Sequence, residues 1–504
     1  MDPSKAPLIF FLLSFATLSF SNPTSIDWWC RLVPHQDACR HYLAAHTHSL
    51  KDHSDFYRLS VKAALDLSIS ARSRIKRLAK GFINNDPDKT ALLDCWNLLG
   101  NTVTKLNHTL SLSGGNRRAG LDAQTWLSAA HTNLYTCLHG FSDIHPITRY
   151  NVVSELVSNC LAINSAAASI PETLKPRWTS FAGRRLLSSR ADIVVSQDGS
   201  GNFRTIIAAL DIAAVERRST SRRIVIYVKA GVYEENLEIV SSLTDITIAG
   251  DGKGKTIITG NRSAASGYTT FSSPTVNVFG DGFIATDITI RNTFGPGSQA
   301  VALLSGSDRS VFYRCSIEGY QDTLCVYSQR QFYRECDIYG TIDFIFGNAA
   351  AVIQNCNIIV RTPLKGESNV ITAQGRTDGN QSTGIVIQFS RITAAPEFWP
   401  VHRTVKSYLG RPWLPYSRTV YMQNFIDSII DPAGWLSLNG DLDTVYYAEY
   451  KNTGPGAKAM RLRVKWTGFH IIFRPSEVTQ FTVERFLEGN TWLTATAVPF
   501  DSGL

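Results

Sequence analysis

One pattern stated twice, Phe312-Tyr313-Arg314-Cys315 and then Phe332-Tyr333-Arg334-Glu335-Cys336, limits this chain more than any other feature. Cys315 to Cys336, Gly319 to Gly340 and Asp322 to Asp343 are each 21 residues apart, and Cys356 follows 20 residues later. A column that returns at that interval without helical periodicity predicts a solenoid, each repeat one coil of a parallel β-helix. Strands in adjacent coils lie ~4.8 Å apart. Asp322 and Asp343 are therefore expected one above the other, too close to titrate independently. In the run Thr341-Ile342-Asp343-Phe344-Ile345-Phe346, strand alternation sends Ile342, Phe344 and Phe346 to the face opposite Asp343. The ordinary reading of such a pair is a solvated aspartate ladder on a repeat surface. The other is an acid beside a nucleophile.

The chain's 504 residues exceed one compact core, and 44% hydrophobic content excludes general disorder. Residues 1–190 carry 21 Lys and Arg against 13 Asp and Glu, whereas residues 191–504 carry 29 of each. The solenoid part is thus neutral, so broad attraction to nucleic acid has no basis and any anion site must be local.

Met1 to Ser21, with Lys5 ahead of an apolar run from Leu8 to Leu18, reads as a secretory signal peptide cleaved after Ser21. The run is short for a bilayer span, and no membrane anchor is expected in the mature chain. Sequons at Asn107, Asn261 and Asn380 fit an extracellular route. Nine cysteines in a secreted chain imply disulfides and at least one spare thiol.

Residues 22–176 read as helical. Val61, Ala64, Leu65, Ser68, Ala71, Ile75 and Leu78 form one apolar stripe, and three more run from Leu92 to Leu110, Leu127 to Cys137 and Val153 to Leu161. Four amphipathic helices make a bundle. Cys30 and Cys39 are near enough to staple a hairpin, Cys95 and Cys137 lie on facing stripes, and Cys160 is left over. This arrangement resembles the plant invertase and pectin methylesterase inhibitor family, whose bundles carry two disulfides in this order. A Ser-rich linker, 177–190, holds Arg184-Arg185-Leu186-Leu187, a processing site for a subtilisin-like protease.

Beyond Asp192 the texture turns to short β-branched runs between Gly, Asn and Asp. Asp245-Ile246-Thr247-Ile248 recurs as Asp287-Ile288-Thr289-Ile290, 42 residues on, which extends the 21-residue register upstream. Gly254-Lys255-Thr256 ends like a phosphate loop but lacks its leading Gly and continues as strand, so it is a turn.

Only His402 and His470 lie after residue 190, and no Gly-x-Ser-x-Gly elbow occurs. A serine triad or a histidine metal site is therefore not expected. What remains is a frame of Gly231-Val232-Tyr233-Glu234-Glu235, Gln299-Ala300-Val301-Ala302-Leu303, Tyr320-Gln321-Asp322-Thr323-Leu324, Asp343-Phe344-Ile345-Phe346-Gly347 and Leu409-Gly410-Arg411-Pro412-Trp413. In these five segments, in order across 191–504, the chain resembles the plant pectin methylesterases.

The resemblance implies a right-handed parallel β-helix that hydrolyses methyl esters of galacturonate in cell-wall pectin, releasing methanol without cofactor or metal. Asp343 would be the nucleophile and Asp322 the acid and then the base. Gln299 and Gln321 would serve the oxyanion, and Arg411 would clamp Asp343 and keep it ionised. Thr269, Gln299, Phe346, Arg411 and Trp413 would contact the substrate, while Phe344 would pack in the core. The bundle would be autoinhibitory, and inhibitor proteins and the processing protease would be partners. The family commonly has Tyr where Cys325 stands and often His where Tyr327 stands. Cys315 and Cys336, in neighbouring coils, are placed for a bridge for which Cys325 competes, and Cys356 has no evident partner. A pectate lyase would need a calcium-binding acid cluster and a polygalacturonase a denser set of aspartates; the paired glutamines suit a carbonyl oxyanion instead. A non-catalytic wall-binding module would be expected to lack Asp322, Asp343 or Arg411.

Overall fold

The computed structural model describes residues 26–44, 50, 52–82, 87–112, 117–139, 151–168, 191–438 and 442–504. The signal segment and the Arg184 to Leu187 processing site lie outside the described residues.

A short hairpin of α1 (Ile26–Cys30) and α2 (Gln36–Leu43) precedes four long helices: α3 (His53–Ala79), α4 (Pro87–Ser111), α5 (Arg117–His139) and α6 (Asn151–Ala168). Asp52 caps α3 by accepting from the Asp55 N–H at 2.9 Å. The stripes become the core: Val61, Ala64, Ile75, Leu92, Leu99, Leu106, Leu127, Val157 and Leu161 are all buried. Disulfides join Cys30 to Cys39 and Cys95 to Cys137, while Cys160 is a buried free thiol.

From Ile193 the chain winds through three sheets of 11, 7 and 8 strands, the strand pairs among the described residues running parallel. The helix α7 (Ile206–Glu216) covers the first coils with Ile206, Ala209, Leu210 and Ala213. Its first N–H groups, of Ile206 and Ile207, donate to the Glu235 carboxylate at 2.9 and 2.8 Å. An acid at the positive end of a helix explains why the Gly231 to Glu235 segment ends in a carboxylate.

The 21-residue spacing holds where it was read: Leu303 pairs Leu324, and Leu324 pairs Ile345. It does not extend upstream. Asp245 to Ile248 leads into the 11-stranded sheet, where Ile248 pairs Ala285, but Asp287 to Ile290 leads into the 8-stranded sheet, where Ile290 pairs Ile258. The tetrapeptides are alike because each begins with an aspartate in the left-handed region, φ 52° and 58°, before a β-branched strand; they share a local turn and not a coil register.

The cysteine column is also not a disulfide. Cys315, Cys336 and Cys356 are buried free thiols. Each follows a left-handed residue, Arg314, Glu335 or Asn355, and so turns inward in the same direction as its neighbour. There they begin a ladder of side chains that accept from backbone N–H groups of the preceding coil: Cys336 N–H to Cys356 Sγ (3.3 Å), Cys356 N–H to Ser390 Oγ (3.1 Å), Ser390 N–H to Asn424 Oδ1 (2.9 Å) and Asn424 N–H to Asn452 Oδ1 (3.0 Å). The column satisfies buried donors at a corner that strand ladders cannot reach. Cys325, the competitor for that bridge, is a free thiol on the seven-stranded sheet, whereas Cys315 and Cys336 lie at the corner between the other two sheets.

Near the last coils, Arg463 and Glu449 form an ion pair with both side chains at 0% exposure, Nε to Oε1 2.7 Å. Removing one partner strands a buried charge, so Glu449→Ala should lower solenoid stability by about 3–5 kcal/mol. Removing Glu477 from the exposed Arg474 pair should cost under about 1 kcal/mol. Urea unfolding midpoints of the two variants check the contrast.

Candidate active site

The site lies where chain enters the seven-stranded sheet. The turns before Leu324–Val326 and Ile345–Gly347 carry Asp322 and Asp343, both left-handed at φ 61° and 49°. These turns are one coil apart, tied by the Asp322 N–H to Ile342 O bond at 3.0 Å. The left-handed residue breaks strand alternation after Asp343. Phe344 is fully buried in the core as expected, but Phe346 sits on the outer face of the sheet, 6.1 Å edge-on from Trp413. The period-2 expectation for Phe346 was therefore wrong.

Arg411 grips Asp343 with both prongs, Nε to Oδ1 at 2.8 Å and one terminal nitrogen to Oδ2 at 2.5 Å. Gly410 beside it has no room for a Cβ, which would strike Thr372. Burial drives the Asp322 carboxyl well above the ordinary range, the Asp343 charge adds to this, and Arg411 opposes it. Asp343 is also raised by burial, with the Arg411 hydrogen bonds and charge pulling it back. The clamp thus limits the rise without cancelling it, and of the two carboxyls Asp322 is pushed further toward its protonated form.

Gln299 and Gln321 are half-buried on adjacent coils, linked by the Ala300 N–H to Gln321 O bond at 3.3 Å. Trp413 is 44% exposed at the end of the floor. Gly375 makes room for it, since a Cβ there would sit 2.7 Å from the indole. Among the described residues no group of three His, Cys, Asp or Glu is arranged to hold a metal.

The bundle expected to be autoinhibitory lies on top, held by polar helix residues that the sequence pattern does not single out. The apolar core of the bundle continues without a break into the cleft floor, through Phe279, Leu304, Cys325, Tyr327 and Phe346. Helix α5 crosses above them, leaving a cavity of about 90 Å³ between Tyr135 and Thr136 on one side and Phe271, Tyr327 and Trp413 on the other. Thr269 donates to Asp94 of α4 at 2.7 Å. Lys105 donates to both oxygens of Asp281 (2.9 and 2.7 Å), Ser158 to Asp378 (2.5 Å), and Asn348 to Thr132 (2.9 Å). Asp122 of α5 accepts from the buried Arg330 at 2.7 Å, which also binds Asp308 and Glu488. The departures at Cys325 and Tyr327 are the two sequence signs that this floor is unusual.

Of the sequons, Asn107 and Asn261 are exposed. Asn380 sits in the bundle contact, its carbonyl accepting from Gln124 at 2.6 Å and its amide donating to Asp378 at 3.1 Å.

A parallel β-helix with a clamped aspartate one coil from a second, buried aspartate, beneath a helical cover, defines the class of architecture. The comparisons with known proteins narrow that class. The pectinesterase family model matches residues 192–490, and the plant invertase/pectin methylesterase inhibitor model matches residues 24–163. Pectinesterase 2 of Citrus sinensis is 52% identical over 99% of this chain and 98% of its own length. The probable pectinesterase/pectinesterase inhibitor 60 of Arabidopsis thaliana is 49% identical over 99% and 96%. Among solved structures, pectin methylesterase from carrot aligns with TM-score 0.61 and 49% identity, covering 65% of this chain and 100% of the carrot chain. A deglycosylated pectin methylesterase from Aspergillus niger gives 0.52 and 31%, covering 60% and 95%. The chain belongs to the pectinesterase family and carries the inhibitor-type helical domain ahead of it.

Proposed function

We propose that this chain hydrolyses methyl esters of galacturonate in cell-wall pectin through a covalent aspartyl intermediate. The observation that carries the reading is the pair itself: Asp343 held by two Arg411 bonds, with Asp322 one coil away and pushed further toward its protonated form. The ionised Asp343 attacks the ester carbonyl carbon. The carbonyl electrons move onto oxygen, where the Gln299 and Gln321 amides donate. The intermediate collapses, the methoxy group leaves, and Asp322 gives it a proton, releasing methanol. Asp322, now a carboxylate, takes a proton from water, which attacks the acyl carbon and restores Asp343. Phe346 and Trp413 offer apolar faces to the sugar rings. The test measures methanol, new carboxylate and chain length together on methyl-esterified galacturonan. The reading requires one methanol per new carboxylate with chain length unchanged; shortening without methanol would mean a lyase or glycosidase.

We also propose that the bundle restrains this cleft until a subtilisin-like protease separates the parts at Arg184 to Leu187 on the secretory route to the wall, where separate inhibitor proteins bind the same cleft. The continuous apolar contact over Phe346 and Tyr327 supports it. The contact carries its own pH dependence. Burial raises Asp94 to about 6, with Thr269 lowering and Glu238 raising it. A carboxyl raised by docking favours the docked state fully only below its ordinary range; that support is lost as pH climbs from about 4 through about 6. His131, lowered to about 4 by burial, acts oppositely, withdrawing support as pH falls from about 6.5 toward 4. The two offset each other in one window. Asp94→Asn should therefore leave the His131 dependence exposed, so that release of the uncut chain's cleft becomes favoured by acid. Methanol release by the uncut chain relative to residues 191–504, across pH 4 to 7 (about the span of these two shifts), measures this.

A further inference from the structure

We propose that the ridge formed by turns 361–368 and 395–406 is a second galacturonan contact, suited to de-esterified, carboxylate-bearing stretches and open while the bundle covers the cleft. The proposal rests on the reading that this chain acts on galacturonan. Both turns enter the seven-stranded sheet, as the Asp322 and Asp343 turns do, in the next two coils. At ~4.8 Å per coil the second turn is ~10 Å along the axis from Asp343.

The ridge is joined to the catalytic turn. The Arg361 guanidinium lies 3.8 Å over the Tyr320 ring and donates to the Gly319 carbonyl at 3.1 Å, while its Nε donates to Glu397 at 3.2 Å. Beyond Glu397, Trp399 is 47% exposed and its ring stacks on His402 with centroids 4.6 Å apart and planes 16° from parallel. An exposed indole braced on one side presents a rigid apolar face, the shape a sugar ring packs on. The charges beside it are cations with little to hold them. Lys365 and Arg403 are exposed, Arg403 makes no ion pair among the described residues, and Lys406 is 69% exposed with Asp431 only at 3.9 Å. Of the two acids in these turns, Glu397 is paired by Arg361 and Glu367 accepts, among the described residues, only from the Leu364 N–H at 3.0 Å and keeps its charge, so four cations, Arg361, Lys365, Arg403 and Lys406, stand against two acids.

In a domain whose total charge is balanced, this is a local excess of positive charge beside an aromatic platform. Ester hydrolysis leaves a carboxylate on each processed sugar, so the product and not the esterified substrate matches the ridge. The bundle's contacts with Asp281 and Asp378 fall on turns that leave the sheet, and Arg330 begins the strand after such a turn; its Asp94 contact with Thr269 is on an entering turn, but before Val276–Val278, four strands along the sheet from Asn369–Gln374.

The test is calorimetric titration of the uncut full chain with a de-esterified galacturonate decamer. Binding is expected, weakening with salt. The double variant Arg403→Ala, Lys406→Ala should bind at least tenfold more weakly, Trp399→Ala likewise, and Asp343→Ala as the unsubstituted chain does. Arg403→Lys, which keeps the charge, should retain binding. A fully methyl-esterified decamer should bind at least tenfold more weakly than the acid form. No binding by the full chain, equal binding by the double variant, or equal affinity for the two decamers would overturn the proposal. Methanol release is scored separately on the unsubstituted protein, so a failed ridge and a failed esterase reading register in different measurements.

Discussion

With Asp343→Ala, methanol release by residues 191–504 should fall by ~10⁴-fold or more, with no methanol burst, because a missing nucleophile removes the intermediate that both half-reactions share. Asp322→Asn keeps the shape of the turn but neither gives nor takes a proton. Both half-reactions should slow by ~10²–10⁴-fold, the usual size of general acid-base assistance, with KM little changed. Arg411→Lys keeps the charge near Asp343 and loses the planar fork that makes the 2.8 and 2.5 Å bonds. Its loss should lie between those of a merely weakened ion pair and Asp343→Ala. Single-turnover methanol release on one methyl-esterified oligomer ranks all three. If Asp343→Ala turned over normally, the aspartyl mechanism would be excluded; if only Arg411→Lys did, only the two-pronged clamp would.

The second large effect concerns the cover. Lys105 is 5% exposed and binds both oxygens of Asp281, with Asp308 also near enough to be lowered by its charge. Lys105→Glu in the full chain replaces this attraction with repulsion at a position where the introduced carboxylate is almost fully buried and Asp281 is 29% exposed. Truncating such a pair costs roughly 2–5 kcal/mol and reversal at least that, a shift of ~30- to several-thousand-fold in the docking equilibrium at 1.4 kcal/mol per tenfold. Methanol release by the uncut chain should rise toward that of the solenoid alone. Asp122→Ala should act in the same direction without harming the solenoid, since Arg330 keeps Asp308 and Glu488. Unchanged release in both variants, with the chain shown uncut, would mean that these contacts do not hold the cover.

The solenoid and its stacked aspartate pair were legible because two consecutive coils have the same length. Leu303, Leu324 and Ile345 stack at equal intervals, so Asp322 and Asp343 announce themselves as a column. Either side of them coils lengthen: Val276 pairs Leu303, Ile345 pairs Thr372, and Thr372 pairs Gly410. A fixed offset carries no information there, which is why the Asp245 and Asp287 repeats misled. The cysteine column was visible but its chemistry was not, because a disulfide and a hydrogen-bonding ladder need the same stacking. Ser390, Asn424 and Asn452 decide between them, and those residues share no sequence period with the cysteines. The bundle was legible from its stripes. Its seat on the cleft was not, because Asp94, Lys105 and Asp122 read as ordinary polar positions on amphipathic helices until Thr269, Asp281 and Arg330 are placed against them.

The most direct test of an esterase covered by its own bundle is methanol release from methyl-esterified pectin by two preparations at equal concentration, residues 191–504 and the full chain with Arg184 and Arg185 replaced so that it stays uncut. The carrot pectin methylesterase is matched along its whole length by 65% of this chain. The solenoid should turn over at ~1–10³ s⁻¹, the ordinary range for enzymes, and the uncut chain at least ~100-fold more slowly, the effect of about 2.7 kcal/mol of docking. A silent solenoid would contradict the catalytic assignment, and an uncut chain as fast as the solenoid would contradict the cover.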